Sequence, residues 1–207
     1  MKVTIFGYGN IGSAFTKQLT QAGHEVIVSG RDLAKARDLA TQYGAQALSI
    51  KEAAGAADVL VMAVYFGAVV DIVAETGSLS GKVVVDPTNP LTPDYMGLTL
   101  GHSTSAAEEI AKQVPGAQVV KAFNTLFAQV LDQGGDFAGT PASVFVASDD
   151  AAAKQVATEL ATSLGYAVVD AGGLHNARYL EPLAGLNIYL GYGAGLGTQI
   201  APTWLSR

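Results

Sequence analysis

Six residues near the start of the chain, Gly7, Tyr8, Gly9, Asn10, Ile11 and Gly12, follow an apolar run at Val3–Phe6 and open an amphipathic stretch. A G-x-G-x-x-G segment in that setting restricts the fold more than any other feature of the sequence. The first glycine permits a tight turn out of a strand. The second leaves bare backbone where a ligand approaches, and the third lets the next helix pack close to the strand. In a chain with 24 glycines the pattern alone is weak evidence. Its place between a strand and a helix gives it weight, because such a turn points the free N–H groups of the helix start at a phosphate. Asn10 adds a side-chain donor there. The Tyr8 ring either covers an adenosine ribose or lies against solvent.

The rest of the chain alternates strand and helix patterns. Strands are expected at Lys2–Phe6, Glu25–Ser29, Ala45–Leu48, Val59–Val64, Val83–Asp86 and Val119–Ala122. Helices are expected from Asn10 to Gln21, from a cap at Asp32 to Tyr43, after a Ser49/Glu52 capping box, over Ala68–Glu75 and over Ser105–Lys112. A short helical segment at Phe127–Leu131 precedes a loop at Gly134–Thr140. A strand at Val144–Ala147, a helix from Asp150 to Ser163 and a strand at Ala167–Val169 follow, then a long glycine-studded element at Asn176–Gly191. This order predicts an α/β fold of Rossmann type: a doubly wound parallel sheet with helices on both faces and a small C-terminal α/β portion. The expected division is a dinucleotide-binding domain at 1–138 and a smaller portion at 139–207 that borders the substrate cleft and supplies a dimer contact.

The end of the second strand bears on which dinucleotide binds. NAD sites carry an acidic residue there for the ribose hydroxyls, and the same carboxylate would repel a 2′-phosphate. This chain reads Ser29-Gly30-Arg31, with Lys35 one turn along the next helix. Arg31 offers a charge-assisted pair to a phosphate and a plane to stack on adenine, Ser29 offers a hydroxyl, and Lys35 offers a second positive charge. Asp32 is the opposing feature. As a helix cap its carboxylate is occupied by backbone N–H groups. NADP is therefore the expected cofactor.

Three further loops lie at strand ends of this kind. After the fourth strand, Ala63 and Val64 expose backbone to the ribose and pyrophosphate, and Tyr65 and Phe66 wall the nicotinamide side. After the fifth, Asn89 stands in DPTNPL, residues 86–91, held between two prolines. After the sixth, KAFNTL at 121–126 brings Ala122 and Asn124 near the nicotinamide carboxamide. No proton-transfer dyad stands out. His24 falls on the far side of the sheet, and His102 and His175 sit in loops with no metal-ligand spacing around them. Hydride transfer to a flavin-like ring needs no strong acid at the arriving hydride, so positioning supplies most of the catalysis.

Composition narrows the partners. Hydrophobic residues make up 49% and charged residues 14% of 207 residues, with a net charge of −6 and no basic run. That argues against a nucleic-acid partner. The apolar stretches are too short or interrupted to span a bilayer, so no membrane partner is expected. The chain has no cysteine, which removes disulfides, thiolate catalysis and cysteine-ligated metals and suits a cytoplasmic setting. The opening MKVTIFGYGNIG lacks the pattern of a secretion signal.

Taken together, VTIFGYGNIG, SGRD with Lys35, DPTNPL, VVKAFNT and DAGGLHNARYLEPLAGLNIYLGYGAGLGTQIAPTW resemble the NADPH-dependent oxidoreductases of the deazaflavin coenzyme F420. The resemblance implies a nucleotide-binding domain with a small C-terminal portion, dimers, and hydride transfer without a metal to a deazaflavin stacked on the nicotinamide. It implies Tyr8, Gly9, Asn10 and Ile11 at the pyrophosphate, Arg31 and Lys35 at the 2′-phosphate, and Val64, Ala122 and Asn124 near the nicotinamide. Two departures stand out. Gly30 replaces a serine frequent directly before the arginine, and Tyr8 replaces a frequent small residue. In the terminal stretch Arg178 and Glu181 are spaced for an ion pair within one helix. The expected function is hydride transfer between NADPH and a small acceptor, a deazaflavin or flavin-like molecule, in a homodimer. The alternatives are a reductase of a small carbonyl or imine and a non-catalytic NADPH-sensing protein.

Overall fold

A computed structural model describes residues 1–204. Strands β1 (Lys2–Phe6), β2 (Glu25–Ser29), β3 (Gln46–Ala47), β4 (Val59–Met62), β5 (Val83–Asp86) and β6 (Gln118–Lys121) form one parallel sheet in the order β3-β2-β1-β4-β5-β6. The doubly wound order is the expected one. Every residue of β4 is buried, as a continuous apolar run requires in a sheet covered on both faces. Helices α1 (Asn10–Gln21), α2 (Leu33–Tyr43), α3 (Ile50–Ala56), α4 (Val69–Thr76) and α5 (Ala106–Gln113) make the crossovers. Asp32 caps α2 by accepting from the N–H groups of Ala34 and Lys35, and Ser49 and Glu52 form the capping box of α3.

The fourth strand stops two residues short of its apolar run. At Ala63 the chain folds back, its N–H donating to the Val61 carbonyl, and that carbonyl turn packs on Gly7. The third strand is likewise shorter than expected, because only two of its residues pair with β2. The 134–140 stretch, expected as plain loop, contains a small hairpin of β7 (Asp136–Phe137) and β8 (Thr140–Pro141) after α6 (Ala128–Gln133).

Beyond it, β9 (Ser143–Val146) and β10 (Ala167–Asp170) pair in parallel around α7 (Ala151–Ser163). An antiparallel bridge between Lys121 and Ala147 fastens this pair to β6. A single apolar cluster runs from Val3 and Phe15 beneath the large sheet through Phe123 and Leu131 to Val144 and Tyr166. The final helix, α8 (Ala177–Ile188), passes into a wider turn at Tyr189–Gly193. Gly191 is needed there: a Cβ would stand 2.6 Å from the Phe127 ring. Among the described residues no helix is long and apolar enough to cross a membrane.

Candidate active site

The strand order reverses between β1 and β4, and a cleft of about 550 Å³ opens at the carboxyl ends of the strands on that line. Its walls come from the β1–α1 turn, the ends of β2, β4, β5 and β6, and the inner face of α8. Of the residues singled out from the sequence, Gly7, Tyr8, Gly9, Asn10, Ile11, Gly30, Arg31, Ala63, Val64, Tyr65, Asn89 and Asn124 line it. Gly12, Ser29, Lys35 and Ala122 do not.

The glycines divide their labour by geometry. Gly7 has φ +125°, and a Cβ there would lie 2.1 Å from the Ala63 carbonyl oxygen. A Cβ on Gly12 would lie 2.1 Å from the carbonyl oxygen of Gly7. Both positions exclude any side chain. Gly12 is thus a packing residue that draws α1 onto the turn. A Cβ on Gly9 would meet nothing within 4 Å, so the backbone there faces open cleft. Gly9 caps α1 with no side-chain acceptor, and the first turn carries no acidic residue. The helix start therefore offers its N–H groups and its partial positive charge to an anion.

The two departures at residues 8 and 30 are one structural fact. A Cβ on Gly30 would stand 2.7 Å from the Tyr8 ring, so the ring occupies the space a serine would take. The Tyr8 hydroxyl accepts from the Asp32 N–H at 3.3 Å. Ser29 corrects the expectation of a phosphate ligand. It is fully buried, and its hydroxyl donates to the Leu48 carbonyl at 2.8 Å, because the end of β2 turns that side chain toward the strand edge beside β3. Lys35 is exposed on the first turn of α2, its Nζ 3.9 Å from Asp32. Ala122 is fully buried and faces the core.

Arg31 is the one charged side chain lining the cleft among the described residues, and it makes no ion pair there. No histidine, lysine or carboxylate joins it. His24 bridges the N-terminal amine and the Ser163 hydroxyl, where burial and the neighbouring ammonium hold its pKa below the usual histidine value. His102 and His175 border a separate depression with Arg178 and Tyr179. No group of three or more metal-ligating side chains occurs among the described residues.

At the opposite end from Arg31, Asn89 and Asn124 hold each other. Asn89 Nδ2 donates to the Asn124 carbonyl at 2.8 Å, and Asn124 Nδ2 donates to Asn89 Oδ1 at 2.9 Å and to the Leu180 carbonyl at 2.9 Å. Asn187 of α8 donates to the Thr125 carbonyl at 3.0 Å. The side-chain oxygens of Thr88, Asn124 and Thr125 are buried without partners. Tyr65 is well exposed at the mouth. Its hydroxyl accepts from Tyr95 at 3.1 Å, a bond that holds the Tyr95 phenol above its ordinary pKa. Tyr95 has φ +62°, a strained conformation of the kind found beside ligand sites.

Sequence reasoning missed a buried ion triad behind this end of the cleft. Lys121 Nζ lies 2.9 Å from Asp86 Oδ2 and 2.8 Å from Glu181 Oε1, with all three side chains at most 1% exposed. Glu181 therefore pairs with Lys121, and Arg178 pairs with Glu108 through Nε at 2.9 Å and Nη2 at 2.6 Å. The expected Arg178–Glu181 pair is absent because α8 turns Glu181 inward and leaves Arg178 at the surface beside α5. The available signal was a lysine and an aspartate ending two adjacent strands in otherwise apolar runs.

These features are compatible with a bound dinucleotide: an uncapped helix start, bare backbone at Gly9, an unpaired arginine at one end and unpartnered amide and hydroxyl oxygens at the other. Residues 2–90 match the family described as NADP oxidoreductase, coenzyme F420-dependent. An F420-dependent NADP reductase of Methanothermobacter thermautotrophicus is 31% identical over 92% of this chain and 89% of its own length. Metalloreductase STEAP3 of Rattus norvegicus is 31% identical over 88% of this chain, which spans only 36% of that protein. A crystal structure from Arthrobacter sp. FB24, provisionally named an F420-dependent NADP-reductase, superposes with a TM-score of 0.86 at 29% identity, covering 98% of this chain and all of that one. The chain belongs to the F420-dependent NADP reductase family of NADP-dependent oxidoreductases.

Proposed function

We propose that the protein transfers a hydride between NADPH and a deazaflavin or flavin-like acceptor. The observation that carries this reading is the pairing of one uncompensated cation, Arg31, with an Asp32 carboxylate already occupied as the cap of α2. A bare ribose gains nothing from that arrangement, whereas a 2′-phosphate gains a charge-assisted partner. In this reading Arg31, with Lys35 nearby, holds the 2′-phosphate. The backbone of Gly9, Asn10 and Ile11 holds the pyrophosphate, and the loops carrying Val64, Asn89 and Asn124 flank the nicotinamide.

NADP supplies the hydride chemistry when bound. The chain supplies position and a dry wall: Leu91, Leu126, Phe127 and Ile188 line the acceptor side. With no titratable acid or base there other than tyrosine among the described residues, an acceptor ring that takes a hydride without concerted protonation fits better than a carbonyl. We assign residues 1–138 to dinucleotide binding, and residues 139–207 to bordering the acceptor cleft through α8 and to a homodimer contact on the exposed Leu186, Tyr189 and Leu196. Titration of the purified protein with NADPH and NADH tests the cofactor, with NADPH expected to bind at least about tenfold more tightly. Following NADPH absorbance with F420, FMN, a quinone and a ferric chelate tests the acceptor. Binding without turnover of any of them would replace the enzyme reading with a sensing role.

A further inference from the structure

Three charges sit together in the interior where two carboxylates share one ammonium. Such a cluster is poor value for stability, since desolvating each ion costs several kcal/mol and well-packed apolar residues often do as well. Its connections point to another role. Asp86 ends β5, directly before the Pro87–Asn89 wall. Its Oδ1 accepts from the Thr88 N–H at 2.8 Å. Lys121 ends β6, before the Asn124 wall, and donates to the Thr88 carbonyl at 2.6 Å. Thr88 is thus gripped on both sides of its backbone. Glu181 belongs to α8 and also accepts from the N–H groups of Ala106 at 2.9 Å and Ala107 at 3.3 Å, at the start of α5. Its neighbour Leu180 takes the Asn124 amide, and two turns on Asn187 and Ile188 line the cleft. None of the three charged side chains lines the cleft. Three of the walls at the end remote from Arg31, the β5 loop, the β6 loop and α8, are nevertheless each tied to one of them.

We propose that Asp86, Lys121 and Glu181 are positioning residues that lock the β5 loop, the β6 loop and α8 into the register that orients the nicotinamide half of the cofactor. This rests on the NADP reading above. The adenosine half, held at the Gly9 turn and Arg31, lies outside the triad's reach. The two halves of the ligand therefore respond differently when the triad is cut.

Glu181→Ala is the informative change, because it releases α8 yet leaves Lys121 paired with Asp86 and the buried charge balanced. Calorimetric titration with NADPH and with 2′,5′-ADP, which lacks the nicotinamide half, reads the effect. NADPH should weaken about tenfold while 2′,5′-ADP changes less than about twofold, and Glu181→Gln, which keeps the acceptor oxygen and the shape, should recover most of the loss. Equal weakening of both ligands, or no change in either, overturns the proposal and leaves the triad a folding element. If Glu181→Ala fails to fold, Lys121→Arg is read with the same two ligands and the same criteria; failure of both to fold also overturns it. A wild-type protein that binds neither ligand instead removes the NADP reading itself.

Discussion

Arg31 carries the full charge on the cleft wall, and the residues beside it are already committed. Asp32 is bound to the start of α2, Ser29 to Leu48, and the Tyr8 hydroxyl to the Asp32 N–H. A phosphate at this end therefore depends on Arg31, with Lys35 as a more distant exposed contributor. Charge-assisted hydrogen bonds are worth about 1.5–3 kcal/mol each. Arg31→Ala should raise the dissociation constant for NADPH by about 10–100-fold and leave that for NADH within about threefold. Fluorescence titration of the variant with both cofactors measures it, and an unchanged ratio would dismiss Arg31 as the discriminator. The glycine turn was legible from spacing alone, because both the φ of Gly7 and the crowding at Gly12 follow from the strand–turn–helix they join. The contact of Tyr8 with Gly30 was not, since 22 positions of chain separate two residues that meet only once β1 and β2 pair.

Helices α5 and α8 meet through two different electrostatic devices. Inside, Glu181 reaches the start of α5. Outside, Arg178 grips Glu108 with both arms of its fork, and Ser105 caps α5 while donating to the same carboxylate. The guanidinium, foremost, holds Glu108 below the ordinary carboxylate range. A depressed carboxyl contributes stability above its unfolded pKa and loses it as pH falls through the folded one. Arg178→Ala should therefore lower stability only modestly at neutral pH, as befits a part-exposed bidentate pair. The difference from wild type should shrink once pH drops below about 4. Urea midpoints at the two pH values measure it, and a gap that persists in acid would show that Arg178 acts through packing. Glu181 runs the other way: burial, against the pull of Lys121, pushes its carboxyl up. The sequence offered Arg178 and Glu181 as helix neighbours three residues apart, and tertiary packing assigned each to a different partner.

At the scale of the whole molecule, the C-terminal end of α8 and the turn beyond it expose Leu186, Tyr189 and Leu196 together. Sedimentation should find a dimer at micromolar concentration, and Leu186→Glu should shift it to monomer. A monomeric wild type would end the assignment of this face to a second copy. The alternation of strands and helices, the glycine turn and the cap that occupies Asp32 were determined by the sequence itself, because hydrophobic period, turn chemistry and capping act over a few residues. Which side chains meet in the cleft was decided by tertiary structure. Ser29 turned inward, Lys35 stayed at the surface, and three charges from β5, β6 and α8 closed on one another. Burial and ion pairing depend on neighbours that are distant along the chain, and those neighbours exist only after the sheet has formed and α8 has docked on it.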